Sequence, residues 1–439
     1  MLGLARISAA ARRLWRDRRG NFAMMAGLTM PVLLLGAGYG VNVAQIALTR
    51  SNLVAALDAA VTSTARDLTT GAIAEKDAPQ VVQAFLVANG LRAYAEEGRV
   101  HLDNLVIDRT VGTITARASV EIDVAFALFG TANKQRITTE ASAIYSDRHI
   151  DVAMVLDITG SMGGPKIKDL RTAAGAAVDQ LLGGNINGSD RVRIAIVPYS
   201  DSVNVGTQLA HTVYVESDEY SPVVAPKVTL VSNTGSTCAT EREGTNQFTD
   251  VGPEVQRVNR DYRLGSCPNP ELMPLTASAS ALKSRISAFT ANGLTAGQIG
   301  IQWGWYLLSP KWSGVLPASA QPHPYGDKKF AKYAILMTDG DFNTAYANVP
   351  KSHVLQQQGD KARTYAEKLC TEMKKVGIEI FSVGFDLGKG WSSAKAILSK
   401  CASPDTGGIK HYYEASTGQE LISTFKAIAG NIERLALTK

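Results

Sequence analysis

Cysteine is scarce. The chain holds four in 439 residues, Cys238, Cys267, Cys370 and Cys401, with no C-x-x-C and no nearby pair of histidines at ligand spacing, which excludes a thiolate zinc site. It also lacks a G-x-x-x-x-G-K-[ST] phosphate loop, an H-E-x-x-H and a nucleophile elbow, because Thr159-Gly160-Ser161-Met162-Gly163 has threonine where G-x-S-x-G needs glycine. The expectation is a protein that is not an enzyme, with His149 and His411 beside strand-like runs as packing or surface residues. Distributed basic charge is missing too. Arg6, Arg12, Arg13, Arg16, Arg18 and Arg19 against Asp17 account for the whole net charge of +5, so there is no basic face for nucleic acid. With 45% apolar and 19% charged residues the chain is unlike a disordered one, and its length implies two or three folded units.

What is present begins with an uncharged stretch from Gly20 to Thr49, most apolar from Phe22 to Val41. About 20 helical residues at about 1.5 Å each cross a hydrocarbon core of about 30 Å, which predicts a membrane span over 21–48. A cleaved secretory signal would have a shorter apolar region and a small-x-small cleavage site. The basic tip at 1–20 against only Arg50 on the far side predicts a cytoplasmic N-terminus and an exported bulk, periplasmic or extracellular. All four cysteines lie on the exported side, as an oxidising compartment requires. Proximity favours Cys238 with Cys267 and Cys370 with Cys401, each contributing about 3.5 kcal/mol by loop closure.

Beyond the span, Ile46, Leu53, Leu57 and Val61 at near-helical spacing predict that the helix continues through 49–75. Residues 76–147 read as a small α+β domain. A helical pattern runs from Pro79 to Asn89, then Ile114, Ala116, Ala118, Val120, Ile122, Val124, Phe126 and Leu128 alternate with polar residues, and a second alternating run is Ile137, Thr139, Ala141, Ala143 and Tyr145. From 148 to 439 the texture changes to continuous apolar runs, at Ile150–Asp157, Val192–Val197, Tyr333–Met337 and Ile378–Val383, separated by helical patterns at Ile167–Leu182, within Ala281–Leu308, at His353–Lys375 and at Thr417–Leu435. That alternation predicts an α/β fold with a doubly wound, mostly parallel sheet, carrying a disulfide-stapled insertion at about 201–276.

Ligands of such sheets sit beyond the carboxyl ends of the strands. Two turns there are rich in oxygen, Asp157-Ile158-Thr159-Gly160-Ser161 and Thr338-Asp339-Gly340-Asp341, a donor set suited to magnesium, manganese or calcium. The competing reading is that Asp157, Thr159 or Ser161 merely caps the following helix. The first turn resembles the D-x-S/T-x-S loop of the metal-ion-dependent adhesion site in von Willebrand factor A domains. Thr338-Asp339-Gly340 resembles that family's later T-D-G turn, and Gly293-Leu294-Thr295-Ala296-Gly297 its middle threonine loop. The resemblance implies a divalent cation, Mg²⁺ before Mn²⁺ or Ca²⁺, held directly by Thr159, Ser161 and Thr295 and chiefly through water by Asp157 and Asp339. It also implies a partner carboxylate that completes the shell. Threonine at 159 departs from the usual serine but keeps the hydroxyl.

Arg18-Arg19-Gly20-Asn21-Phe22-Ala23, the anchor, Leu57-Asp58-Ala59-Ala60, Trp303-Gly304-Trp305-Tyr306-Leu307-Leu308-Ser309-Pro310 and Tyr412-Tyr413-Glu414-Ala415 together resemble TadG-type proteins of tight-adherence (Flp) pilus assembly. That resemblance implies a single-pass inner-membrane scaffold component of a pilus machinery with protein partners. The alternative is a secreted or surface adhesin using the same site. Met25 stands where a prepilin would carry glutamate, so the anchor is expected to be retained. Trp303 and Trp305 pack in the core or present a partner surface.

Overall fold

The computed structural model describes residues 21–70, 72–88, 91–108, 112–124, 133–145, 148–183, 185, 190–215, 237–261, 264, 267–349, 355–388 and 393–438. The basic tip at 1–20, Phe126, Leu128, His353 and part of the insertion lie outside these. The chain divides into two compact units, Met1–Leu68 with Ile73–Tyr145, and Ser146–Lys439 with Thr69–Ala72.

In the first unit a single helix runs from Asn21 to Thr70, and among the described residues it is long and apolar enough to cross a membrane. Its two halves meet different surroundings. From Met24 to Val43 the large apolar side chains, Leu28, Leu33 and Leu34 among them, are exposed. From Asn42 onward one side is covered, with Thr49, Leu53, Leu57, Ala60, Val61 and Ala65 buried and Gln45 Nε2 donating to the Asp123 carbonyl at 3.3 Å. Exposed apolar side chains continue past Val43 to Leu48, which is 65% exposed, so from Asn42 to Thr49 the helix has both an exposed apolar side and a covered one. The 49–75 extension ends as helix at Thr70 and is followed by a 3₁₀ turn at Glu75–Asp77.

Three strands form the unit's antiparallel sheet, β1 (Val100–Asp108), β2 (Thr113–Asp123) and β3 (Lys134–Ile144), with β2 central. The period of two is realised as read. Ile114, Ala116, Ala118, Val120 and Ile122 join Ile137, Ala141 and Tyr145 in one core with Leu53–Leu68 of the long helix and with Val82 and Leu86 of the Ala78–Ala88 helix. β1 was not legible. It is an edge strand whose register shifts between Leu102 and Asn104, and Asp103 in the shift accepts from Ser119 Oγ at 2.8 Å and Arg136 Nη2 at 2.5 Å. A bulge of this kind destroys the alternation by which a strand is recognised.

The second unit adds β4 (His149–Asp157), β5 (Val192–Tyr199), β6 (Val203–Asn204), β7 (Val213–Val215), β8 (Cys238–Ala239), β9 (Val258–Arg260), β10 (Met273–Thr276), β11 (Phe330–Thr338), β12 (Glu379–Phe385) and β13 (Tyr412–Ala415). Its six-stranded sheet has the order β10-β5-β4-β11-β12-β13 and is mixed. Neighbours from β5 to β13 pair in parallel, while β10 pairs antiparallel with β5. The insertion thus gives back its last residues, from Met273, to the sheet edge. Its own short strands pair as β6 with β8 and β7 with β9.

Helices cover both faces. Ile150, Val152, Met154 and Leu156 of β4 pack with Pro165–Leu182, Ala279–Ser287 and Gly418–Thr438, and Ala153 and Val155 with Gly297–Leu308 and Leu355–Lys375. The Gly297–Leu308 helix is buried on every side. It lies close to the sheet, where a Cβ on Gly300 would come within 2.6 Å of Tyr199 Cδ1. On its other side, Arg242 lies over the Tyr306 ring, 4.8 Å from its centroid. Trp303 and Trp305 are therefore core residues, 0% and 2% exposed. The disulfides join Cys238 to Cys267 and Cys370 to Cys401, with Cα atoms 5.4 and 5.1 Å apart.

Candidate functional site

The C-terminal ends of β4, β5 and β11 lie side by side, with Asp157 in register with Tyr199 and Leu156 with Met337. Asp157 is fully buried and its carboxylate is held from three sides. Oδ1 accepts from the Thr159 amide at 2.8 Å, and Oδ2 from Thr338 Oγ1 at 2.6 Å and from the Tyr199 hydroxyl at 3.4 Å. Burial first, and then the charge of Asp339, push its pKa up to about 6. Two carboxylates brought together away from water favour a shared proton or a cation between them.

The hydroxyls continue the chain. Thr159 Oγ1 and Ser161 Oγ are 2.9 Å apart, and Ser161 Oγ donates to Asp339 Oδ1 at 2.5 Å. None of them caps a helix. The turn at Gly160–Met162 has no side-chain cap bond, and the Pro165–Leu182 helix starts from Gly164, again with no side-chain cap. Of the side chains named by the capping reading, Asp157 accepts from the Thr159 amide within its own turn, Thr159 meets Ser161, and Ser161 donates to Asp339.

The middle loop is stitched to both neighbours. The Gly160 amide donates to the Gly293 carbonyl at 2.9 Å, and the Asn292 amide to the Ile158 carbonyl at 3.0 Å. Gly293 has φ +82°, and a Cβ there would meet Asp201 Oδ2 at 2.7 Å, so this turn requires glycine. Asp201 Oδ1 accepts from the Leu294 amide at 2.6 Å. Asn343 brackets Thr295, accepting from its amide at 2.9 Å through Oδ1 and donating to its carbonyl at 2.9 Å. Thr159, Ser161 and Asp339 are thus joined through their side chains, Asp157 reaches them through the Thr159 amide, and Thr295 is held by backbone bonds.

All of the named donors are oxygens, which suits a hard cation. Among the described residues no group of three or more His, Cys, Asp or Glu could hold a metal, so a cation here would depend on the hydroxyls.

Sequence reasoning missed several contributors. Lys166 Nζ donates to Asp339 Oδ2 at 2.9 Å and lies 3.2 Å from Asp386 Oδ2. Its signal was a lysine in the first turn of a helix, where the dipole disfavours positive charge. Asp341, read in the sequence as part of the oxygen-rich turn but given no role there, accepts from the Ala394 amide at 2.6 Å through Oδ1. Tyr199, Asn343 and Asp386 left no signal, because their roles depend on which strand ends and loops become neighbours.

Comparison with known proteins adds the following. Residues 20–67 match the family model described as "Putative Flp pilus-assembly TadE/G-like". No curated protein matches. The structure is similar to the vWF domain of the type V pili tip protein Mfa5 from Porphyromonas gingivalis, at 15% identity and TM-score 0.40, covering 66% of this chain and 97% of that one. It is also similar to the pilus adhesin SpaC from Lactobacillus rhamnosus GG, at 14% identity and TM-score 0.37, covering 77% and 34%. A third is a point mutant of the PilB minor pilin from Streptococcus sanguinis, at 13% identity and TM-score 0.35, covering 76% and 78%. The likeness to the TadE/G-like group of Flp pilus-assembly proteins thus lies in the segment 20–67.

Proposed function

We propose that this chain is a non-enzymatic, membrane-anchored scaffold component of a Flp pilus system, and that its second unit engages a protein partner through a divalent cation. Asp157, Thr159, Ser161, Thr295 and Asp339 would hold the ion, Mg²⁺ before Mn²⁺ or Ca²⁺. A hard Lewis acid so placed can accept a carboxylate oxygen from the partner. The observation that carries this reading is the direction of the hydroxyls. Thr159 and Ser161 leave the following helix uncapped and line up with Asp339. The chain's own part is to keep the three loops in register, through Gly160 with Gly293 and Asn343 with Thr295.

Cross-linking the native protein in its membrane, with and without a chelator, tests this. We expect a pilus-assembly protein to be trapped with Mg²⁺ and lost with chelator. Equal trapping in both, or intact protein released to the medium rather than held in the membrane, would count against it. The anchor has its own check. Cysteines at Leu28 or Leu33 should resist a membrane-impermeant maleimide in intact cells with a permeable outer membrane, whereas one at Arg50 should be labelled. Labelling at Leu33, or none at Arg50, would overturn the placement.

A further inference from the structure

Lys166 is the second residue of the Pro165–Leu182 helix, at the end where the backbone dipole already supplies positive charge and disfavours more. Its place therefore needs a local reason, which its contacts supply. Nζ sits between two carboxylates from different loops, 2.9 Å from Asp339 Oδ2 after β11 and 3.2 Å from Asp386 Oδ2 after β12. The Asp339 side chain is 0% exposed, whereas that of Asp386 is 51% exposed. Asp386 has φ +50°, a left-handed conformation that a non-glycine residue adopts only where its surroundings hold it. Its amide donates to the Ala415 carbonyl at 2.8 Å, which fixes it at the end of β12.

Both Asp339 oxygens are engaged in this arrangement, Oδ1 by the Ser161 hydroxyl and Oδ2 by the Lys166 ammonium. A divalent cation drawing on the same carboxylate would stand within a few ångströms of that ammonium and repel it. We infer that Lys166 is a tethered counterion of the cluster, which neutralises Asp339 while no divalent cation is bound and is received by Asp386 when one enters. This rests on the cation reading above and adds a residue that sets its affinity. Lys166 competes with the cation for Asp339, and Asp386 favours the cation by offering the displaced ammonium a partner that is already in contact and open to solvent.

The test is isothermal titration of the full chain in detergent with MgCl₂, MnCl₂ or CaCl₂ alone, on the parent, Lys166→Met, Lys166→Arg, Asp386→Asn and the double variant Lys166→Met/Asp386→Asn. Removing a partly screened charge at this distance should tighten Mg²⁺ binding about tenfold in Lys166→Met. Lys166→Arg keeps the charge and should stay close to the parent. Asp386→Asn should weaken binding by a few-fold, about threefold, and the double variant should match Lys166→Met, because Asp386 then has no ammonium to receive. A lysine that only braces the loop predicts the opposite sign, with binding weaker in Lys166→Met. Unchanged or weaker binding in that variant, with a parent that does bind, overturns the role of Lys166 and leaves the cation site standing. A parent that binds neither Mg²⁺, Mn²⁺ nor Ca²⁺ overturns both.

Discussion

Asp157→Asn is expected to abolish the rise in melting temperature that Mg²⁺ produces in the parent protein, and to flatten the acid side of its stability profile. A ligand bound only by the folded chain stabilises it by about 2.7 kcal/mol at a hundredfold excess over its dissociation constant. The variant should gain nothing. Asparagine keeps an acceptor for the Thr159 amide, and its Nδ2 can donate to the Thr338 and Tyr199 hydroxyls, which have the Gly340 and Met337 carbonyls as their own acceptors, so the fold should survive where a truncation would leave these groups unpaired.

The pH dependence follows from the same carboxylate. Burial, and then Asp339, raise the pKa of Asp157 from 3.8 to about 6, so the folded state binds a proton that the unfolded state has released. The stability this confers is complete below about pH 4 and is lost as pH rises through about 6, a change of up to about 3 kcal/mol in chelator. Above that pH the ionised pair is available to a cation, so Mg²⁺ should bind more tightly at pH 7 than at pH 5. Thermal melts of parent and Asp157→Asn from pH 4 to 7, in chelator and in Mg²⁺, measure both effects as differences. Identical Mg²⁺ shifts in the two proteins would mean that Asp157 belongs to no cation site.

How much of this was legible in the chain depended on whether a feature is local. The strands around Ile150–Asp157 and Tyr333–Met337 show in sequence because a strand buried on both faces is a continuous apolar run, and β2 shows because its period is clean. β10, β13 and the short strands of the insertion do not, since runs of two to four residues carry no period to read. The residues of the three loops were legible because each loop holds its own motif. Lys166 and Asp386 were not, because their pairing needs the register of β11 with β12, where Thr338 lies beside Gly384. A helix buried on every side, such as Gly297–Leu308, gives an apolar pattern that cannot say whether Trp303 faces core or partner. The answer came from the insertion that covers it.

Replacing Cys370 and Cys401 together by alanine should cost about 3.5 kcal/mol by the loop-closure argument, or a fall in melting temperature of about 6 °C for a unit of this size. Both sulfurs belong to fully buried residues, 0% and 1% exposed, so solvent does not compensate the lost bond. The consequence should reach the site. Cys401 ends the Ser393–Cys401 helix, and the other end of that helix is held by Asp341 Oδ1 accepting from the Ala394 amide. Asp341 is two residues from Asp339. The helix is pinned at one end to Leu355–Lys375 by the disulfide and at the other to the T-D-G loop. Freeing the first end should loosen Asp339 and weaken Mg²⁺ binding, whereas replacing Cys238 and Cys267, which tie β8 into the insertion, should leave that affinity near the parent value. Equal effects of the two replacements on Mg²⁺ binding would show that no such linkage runs through the helix. Peptide mapping of protein taken from its native membrane should find both disulfides formed, and four free thiols there would contradict an oxidising compartment for this part of the chain.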